Sequence, residues 1–305
     1  MTRYLVLRLL QSVIVTVGIV VLAFILVRLA GDPVYLLLPP SASEEEIVQL
    51  RSELGLDRPL PVQLAFFFRQ VLTGDWGNSL YLRQPVFRLV IERFPATIEL
   101  AIAGFTVALF IAFPLGLLAA IKRNSVLDLS ATCLVVGGQA MPIFWLGLLL
   151  IILFSVALGL LPASGYGTPQ HLVLPAVTLG MYLAPAIMRL VRSETLANLN
   201  QDYVRTARAK GLSEVRVVGG HVLRNALIPV VTAIGLTFGR MLGGAVVTET
   251  VFAWPGLGRL VVDAVKQYDY PVVQAVIVFL ACAIILSNLV TDIIVAAIDP
   301  RIRYL

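Results

Sequence analysis

Charge is scarce in this sequence: Asp, Glu, Lys and Arg make up 13% of 305 residues, against 59% that are apolar, and mean hydropathy is +0.92. One soluble interior could not bury that much apolar surface, so a soluble globular domain is excluded and a bilayer is the solvent. Cysteine and histidine are as rare, two of each. Cys133 and Cys282 sit inside apolar runs with no Cys or His at ligand spacing, which excludes a disulfide framework and a zinc site. His171 and His221 fall on opposite sides of the expected topology, too far apart to share a metal. No Walker A stretch, HExxH or GxSxG occurs, so neither ATP nor a peptide bond is hydrolysed here by a recognisable site. The centres of the apolar runs lack ionisable groups, Arg240 and Glu249 coming nearest to exceptions, and no inverted repeat is visible. Both absences count against a secondary carrier working without ATPase partners.

The apolar runs organise the chain. Leu9 to Leu29 has the length that crosses a hydrocarbon core, too long for a signal h-region, and no small-x-small cleavage site precedes Gly31-Asp32-Pro33, so it is expected to be retained. Further spans are expected at Thr97 to Ile121, Leu129 to Leu158, Leu172 to Val191, Ala226 to Val247 and Pro271 to Ala297. The resulting fold is all-α: a polytopic membrane protein with six transmembrane helices. Residues 1–30 form the first span, 31–94 an extracytoplasmic segment, 95–298 the core with a cytoplasmic loop at 193–225, and 299–305 a tail.

The formal charge of +5 does not point to nucleic acid, because the cations gather in short loops beside apolar runs. Lys122 and Arg123 mark one internal loop, Arg3 and Arg8 the N-terminus, and Arg301 and Arg303 the C-terminus. Both termini are therefore expected in the cytoplasm of a cell with this chain in its inner membrane. Arg28 falls at the outer end of the first span, where its stem reaches the interface. In the 31–94 segment, broken by prolines, Ser43 with Glu44, Glu45 and Glu46 starts a short amphipathic helix, and PVQLAFFFRQVLTG supplies a second. This segment reads equally as a solvated cap or as a docking platform.

Between Met188 and Asn225 stand Arg189, Arg192, Arg205, Arg208, Lys210, Arg216 and Arg224, against Glu194, Asp202 and Glu214. Asp202 to Lys210 is free of Gly and Pro, Gly211 suits a cap with positive φ, and Ser213 starts a second helix, so a helix, a tight turn and a helix are expected. In the fifth span Gly235, Gly239 and Gly243 recur every four residues, a groove for close approach by another helix, expected to belong to a partner subunit rather than to this chain. Thr248 to Gly258, TETVFAWPGLG, is expected to be a re-entrant turn at the outer surface.

The run RTARAKG at 205–211, with His221, Asn225 and Leu227-Ile228-Pro229, resembles the cytoplasmic loop of binding-protein-dependent type I ABC importer permeases of the dipeptide, oligopeptide and nickel subgroup. Arg-Thr-Ala stands here where the wider class has Glu-Ala-Ala, and Pro229 lies later after Gly211, as in that subgroup. LGLDRPLPVQ, GDWGNS, RFPATIELA, MPIFWLG, LPASGYG, TETVFAWPGLGRL, DYPVVQ and DPRIR resemble it in the same order. The resemblance implies a non-enzymatic subunit that imports di- or oligopeptides, with nickel or glutathione as alternative cargo. It also implies a second homologous permease, two ABC ATPases carrying ATP and Mg, and an extracytoplasmic binding protein, with no cofactor on this chain. It implies further that Asp202, Tyr203, Arg205, Thr206, Ala207, Arg208, Lys210 and Gly211 meet an ATPase. Glu249, Trp254, Pro255 and Gly256 would stand near the external gate and docking face.

Overall fold

The computed structural model describes residues 2–29, 34, 38, 42–53 and 55–298. The tail 299–305 with Arg301 and Arg303, residues 30–33 with Gly31-Asp32-Pro33, and the side chains of Arg3 and Arg240 lie outside the description. The described residues are helical almost throughout: α1 (Thr2–Leu29), α2 (Glu44–Glu53), α3 (Leu60–Thr73), α4 (Val86–Ile121), α5 (Val126–Ala140), α6 (Ile143–Leu150), α7 (Pro169–Leu199), α8 (Asp202–Ala209), α9 (Glu214–Arg216), α10 (Leu223–Val251), α11 (Leu257–Lys266) and α12 (Tyr270–Ile298).

Four helices, α1, α4, α7 and α12, are long and apolar enough to cross a membrane, and two bent pairs bring the number to six if each pair is one span. The expected single span Leu129 to Leu158 is one of these pairs. It turns through 104° between α5 and the helix from Ile143 to Ala157. Pro142 is the cause: the residue before a proline is pushed out of helical space, and Met141 is extended at φ −90, ψ 139. The expected start of the second span at Thr97 also moves, to Val86 behind Pro85. Pro95 and Pro114 are then carried inside α4 rather than ending it.

The core is built on α4 and α7, which pack side by side in parallel. Gly104, Ala108, Ala112, Gly116 and Ala120 recur every four residues on one face of α4, all buried, and Ala176, Gly180 and Ala184 do the same on α7. With no hydrophobic drive between helices in lipid, such stripes hold a pair together by close backbone contact. The fit leaves no slack: a β-carbon at Gly180 would stand 2.6 Å from Val107 Cγ1 and 2.9 Å from the Gly104 carbonyl, and one at Gly116 2.8 Å from the Met188 carbonyl.

The glycines of α10 are filled from within the same chain. A side chain at Gly235 would overlap Thr291 of α12, and a β-carbon at Gly239 would lie 2.8 Å from Asn288 Oδ1. Their groove is thus occupied by the last helix, whereas Gly243 faces open space. A helix partner was legible from the glycine spacing; which chain supplies it was not.

Short polar devices fix the helix ends. At α2, Ser43 N donates to Glu46 Oε2 at 2.9 Å while Glu46 N donates to Ser43 Oγ at 3.3 Å, a reciprocal capping box. At α5, Ser125 Oγ accepts from Asp128 N, and the Asp128 carboxylate takes both Arg192 Nε and Nη2, at 2.9 and 2.8 Å, and Asn124 N at 3.0 Å. This fork clamps the entry of α5 to the last turns of α7, just before the hairpin.

Candidate functional site

The hairpin is formed as expected in its first half. α8 buries Val204 and Ala207 against Val217 and Val222, while Asp202, Tyr203, Arg205, Thr206, Arg208 and Lys210 lie exposed. Gly211 has φ +77 and nothing near a would-be β-carbon, so the glycine is required by the backbone and not by crowding. In its second half the hairpin differs from expectation. The separate helix from Ser213 is short: α9 passes through wide i→i+5 turns at Val217–Val222, beside Gly219 and Gly220, straight into α10. The second arm is therefore the start of the fifth span, bent by 49° at Pro229.

The hairpin cations are not equivalent. Arg208 Nε and Nη2 hold Glu214 at 2.7 and 3.1 Å across the turn. That hydrogen-bonded pair drives the Glu214 carboxyl down and the Arg208 guanidinium up, so both stay charged near neutrality. Arg205 is 3.6 Å from Asp202 with both side chains exposed, and Lys210 has no ion-pair partner among the described residues. The basic face is thus carried by Arg205 and Lys210.

Gly211→Val is expected to uncouple substrate-driven ATP hydrolysis by the assembled importer while insertion and yield stay normal. A β-branched residue at positive φ costs about 1–2 kcal/mol, enough to tilt a two-turn hairpin off its axis. Normal coupling in that variant would remove the turn from the mechanism.

At the opposite end of the bundle the dispersed motifs meet. Thr97 Oγ1 donates to Glu249 Oε1 at 2.7 Å and accepts from Leu257 N at 2.8 Å, and Glu249 Oε2 accepts from Arg259 N at 3.0 Å. Trp254 Nε1 donates to the Ala96 carbonyl at 2.8 Å, and its ring meets Tyr166 edge-on at 4.8 Å. Tyr166 donates to Glu99 at 3.0 Å, which pushes its phenol up, and Gly165 N donates to the Phe252 carbonyl at 3.0 Å. A β-carbon on Gly147 would lie 3.1 Å from the Phe252 ring. RFPATIELA, MPIFWLG, LPASGYG and TETVFAWPGLGRL thus form one corner. Nearby, the buried Asp269 of DYPVVQ accepts from Ser79 Oγ and, at 3.1 Å, from Leu80 N of the stretch that follows GDWGN.

Here too the arrangement departs from the expected re-entrant turn. α10 ends at Val251, the chain reverses through Ala253 at φ +51, and α11 begins at Leu257. Glu249 is 0% and Trp254 1% exposed, and Gly256 is buried, leaving Pro255 partly open. The Glu249 carboxyl faces the amides that open α11 and accepts from them, so Glu249 and Trp254 build the corner from inside and present no outer face. Sequence reasoning missed Thr97, Asp128, Asp269 and Ser79. Three of these stand in or beside motifs that were recognised, but their pairings span more than 150 residues.

A bundle of membrane-length helices with a hairpin at one end and a packed corner at the other defines a polytopic membrane protein. The chain belongs to the family of binding-protein-dependent transport system inner membrane components, whose pattern matches residues 112–304, with that of the family's N-terminal region matching residues 1–101. Within it, the chain is an ABC importer permease of the dipeptide, oligopeptide and nickel subgroup. It is 46% identical over 305 residues to the glutathione transport system permease protein GsiC of Salmonella typhimurium (strain LT2), and 45% to that of Escherichia coli (strain K12), each covering 100% of both chains. The fold is similar to the MetNI methionine ABC transporter in an inward facing conformation, at TM-score 0.60 and 22% identity over 70% of this chain and 98% of that one. An amino acid ABC transporter crystallised with histidines gives 0.52 at 15% identity, over 70% and 94%. The chain is therefore a multi-pass inner membrane subunit of a type I importer, a class that works with a partner permease, ATPases and a substrate-binding protein.

Proposed function

We propose that this permease forms half of the import pathway for a small peptidic thiol or peptide, with glutathione the favoured cargo over unmodified di- and oligopeptides. The observation that carries this is the full-length identity of 45–46% to permeases of glutathione transport systems. The chain contributes no hydrolytic step; ATP and Mg belong to the partner ATPases. The excess of Arg and Lys around the hairpin supports a cytoplasmic position for that end and for both termini.

The hairpin from Asp202 to Gly211 docks on an ATPase, and because Val204 and Ala207 pack on Val217 and Val222 of the second arm, a push at Arg205 and Lys210 passes across that contact and through α10, bent at Pro229, toward the Glu249 corner. At 29 residues α10 reaches about 40 Å, the thickness of a bilayer with its headgroups. Gly243, with open space beside it, is the α10 glycine left for the partner permease. Of Glu249, Trp254, Pro255 and Gly256, Pro255 is the one left partly exposed for the binding protein, beside the exposed Tyr166.

Cargo is tested by uptake into proteoliposomes holding the assembled importer and its binding protein. Labelled glutathione is expected to enter and to be competed weakly by a dipeptide; preferential dipeptide uptake would return the cargo to the peptide class. Docking is tested by pulling down the ATPases with an Arg205→Glu, Lys210→Glu permease at two salt concentrations. Recovery is expected to fall several-fold, more at low salt, where exposed charges are least screened. Unchanged recovery at both would leave the hairpin's shape, not its charge, as the docking element.

A further inference from the structure

One built feature lies apart from both the hairpin and the corner. Where α1 ends, a cavity of about 510 Å³ opens between α1, the α2–α3 cap, the 76–80 loop and the start of α12. Among its described lining residues two are guanidinium-bearing, Arg28 and Arg58, four are carboxamides, Gln63, Gln70, Asn78 and Gln274, and none is acidic. The volume falls in the range of small-ligand sites, and the lining selects for negative charge.

The cations are positioned for this. Arg28 Nε donates to Gln63 Oε1 at 3.0 Å, Nη2 donates to the same oxygen, and the guanidinium lies 3.7 Å over the Phe24 ring. The Gln63 amide is itself fixed, because its Nε2 donates to the carbonyls of Leu56 at 3.2 Å and Arg58 at 2.6 Å. Among the described residues no carboxylate pairs with either Arg28 or Arg58. A half-buried guanidinium held by a neutral amide and a ring face, with no carboxylate partner among the described residues, is an oxyanion receptor.

We propose that this cavity binds the anionic headgroup of a phospholipid. Arg28 occupies the last turn of a helix long enough to span the bilayer, which puts its guanidinium at headgroup depth. Beside the guanidiniums the lining is apolar, with Phe24, Val27, Phe67 and Trp76, and Phe66 at the cavity is 51% exposed. A free phosphate or a peptide carboxylate would satisfy the guanidiniums but leave the exposed Phe66 ring and the apolar wall without a role, whereas an acyl chain covers them. Bound there, the lipid joins the α2–α3 cap to α1 and α12.

The test uses the assembled importer in mild detergent and native mass spectrometry with added phosphatidylglycerol or phosphatidylcholine. Wild type is expected to retain phosphatidylglycerol in preference, and Arg28→Gln with Arg58→Gln to lower that retention about ten-fold, while Arg28→Lys keeps most of it. Arg58 is exposed, so Arg58→Gln alone, with an expected drop of about three-fold, decides the matter if the double variant fails to assemble. Equal retention in wild type and the Arg58→Gln variant overturns the proposal, as does equal binding of the two lipids. Displacement of the lipid by inorganic phosphate or by glutathione at millimolar concentration also overturns it, by assigning the site to a soluble anion.

Discussion

Glu249→Ala is expected to destabilise the permease by about 2–6 kcal/mol and to abolish uptake. The carboxylate accepts from Thr97 Oγ1 and from Arg259 N in a site with no exposure, and each buried donor left without an acceptor costs about 1–3 kcal/mol. The loss is not confined to one contact, because Thr97 also holds Leu257 N, so the start of α11 comes free of α4. Glu249→Gln, which keeps one acceptor oxygen but must turn a donor toward a donor, is expected to fall between wild type and alanine. Thermal unfolding of the purified subunit complex, followed with uptake, measures both effects. A shift worth less than about 1 kcal/mol for alanine would mean that water reaches the corner and replaces the carboxylate. A Thr97→Val, Glu249→Ala double variant should cost much less than the two singles added, since both remove the same link.

Gly180→Leu is expected to cost about 3 kcal/mol or more and to prevent accumulation of folded permease. The new side chain meets Val107 and, at 2.9 Å from its first atom, the Gly104 carbonyl, so the α4–α7 contact must separate rather than repack. Gly18→Leu is the control: nothing lies within 4 Å of a β-carbon at Gly18, and the change adds a helix-favouring residue in lipid. Size-exclusion profiles of tagged variants separate the two, Gly180→Leu giving aggregate and Gly18→Leu a wild-type peak. A monodisperse Gly180→Leu protein would show that α4 and α7 can move apart without loss of the fold.

Both results turn on groups that the sequence displays but does not connect. Gly180 is one glycine among 23, and nothing in LPAVTLGMYLAP marks it above Gly243, which has open space. The stripe on α4 at Gly104, Ala108, Ala112, Gly116 and Ala120 has the same four-residue period as the one in the fifth span, and period alone favours neither. The fifth-span series was expected to take a helix of a partner subunit, yet Thr291 and Asn288 of α12 take Gly235 and Gly239. The 104° bend at Met141 is a different case. Its local cause, a residue forced extended before Pro142, was legible, but other prolines here, such as Pro114 and Pro185, are absorbed in continuous helix.

What the sequence determined by itself is whatever depends on near neighbours and on the solvent. Apolar length sets which segments enter the bilayer, Ser43 with Glu46 sets a helix start, and Gly211 sets a turn, because hydration, a three-residue hydrogen bond and a φ angle are each decided within a few residues. What only the tertiary structure decided is where polar groups find partners far along the chain. Thr97 reaches Glu249 across 152 positions and Ser79 reaches Asp269 across 190. In a dry interior each such group must be satisfied by something, but which group does so is settled by the packing of α4, α10 and α12 and is written in no local pattern.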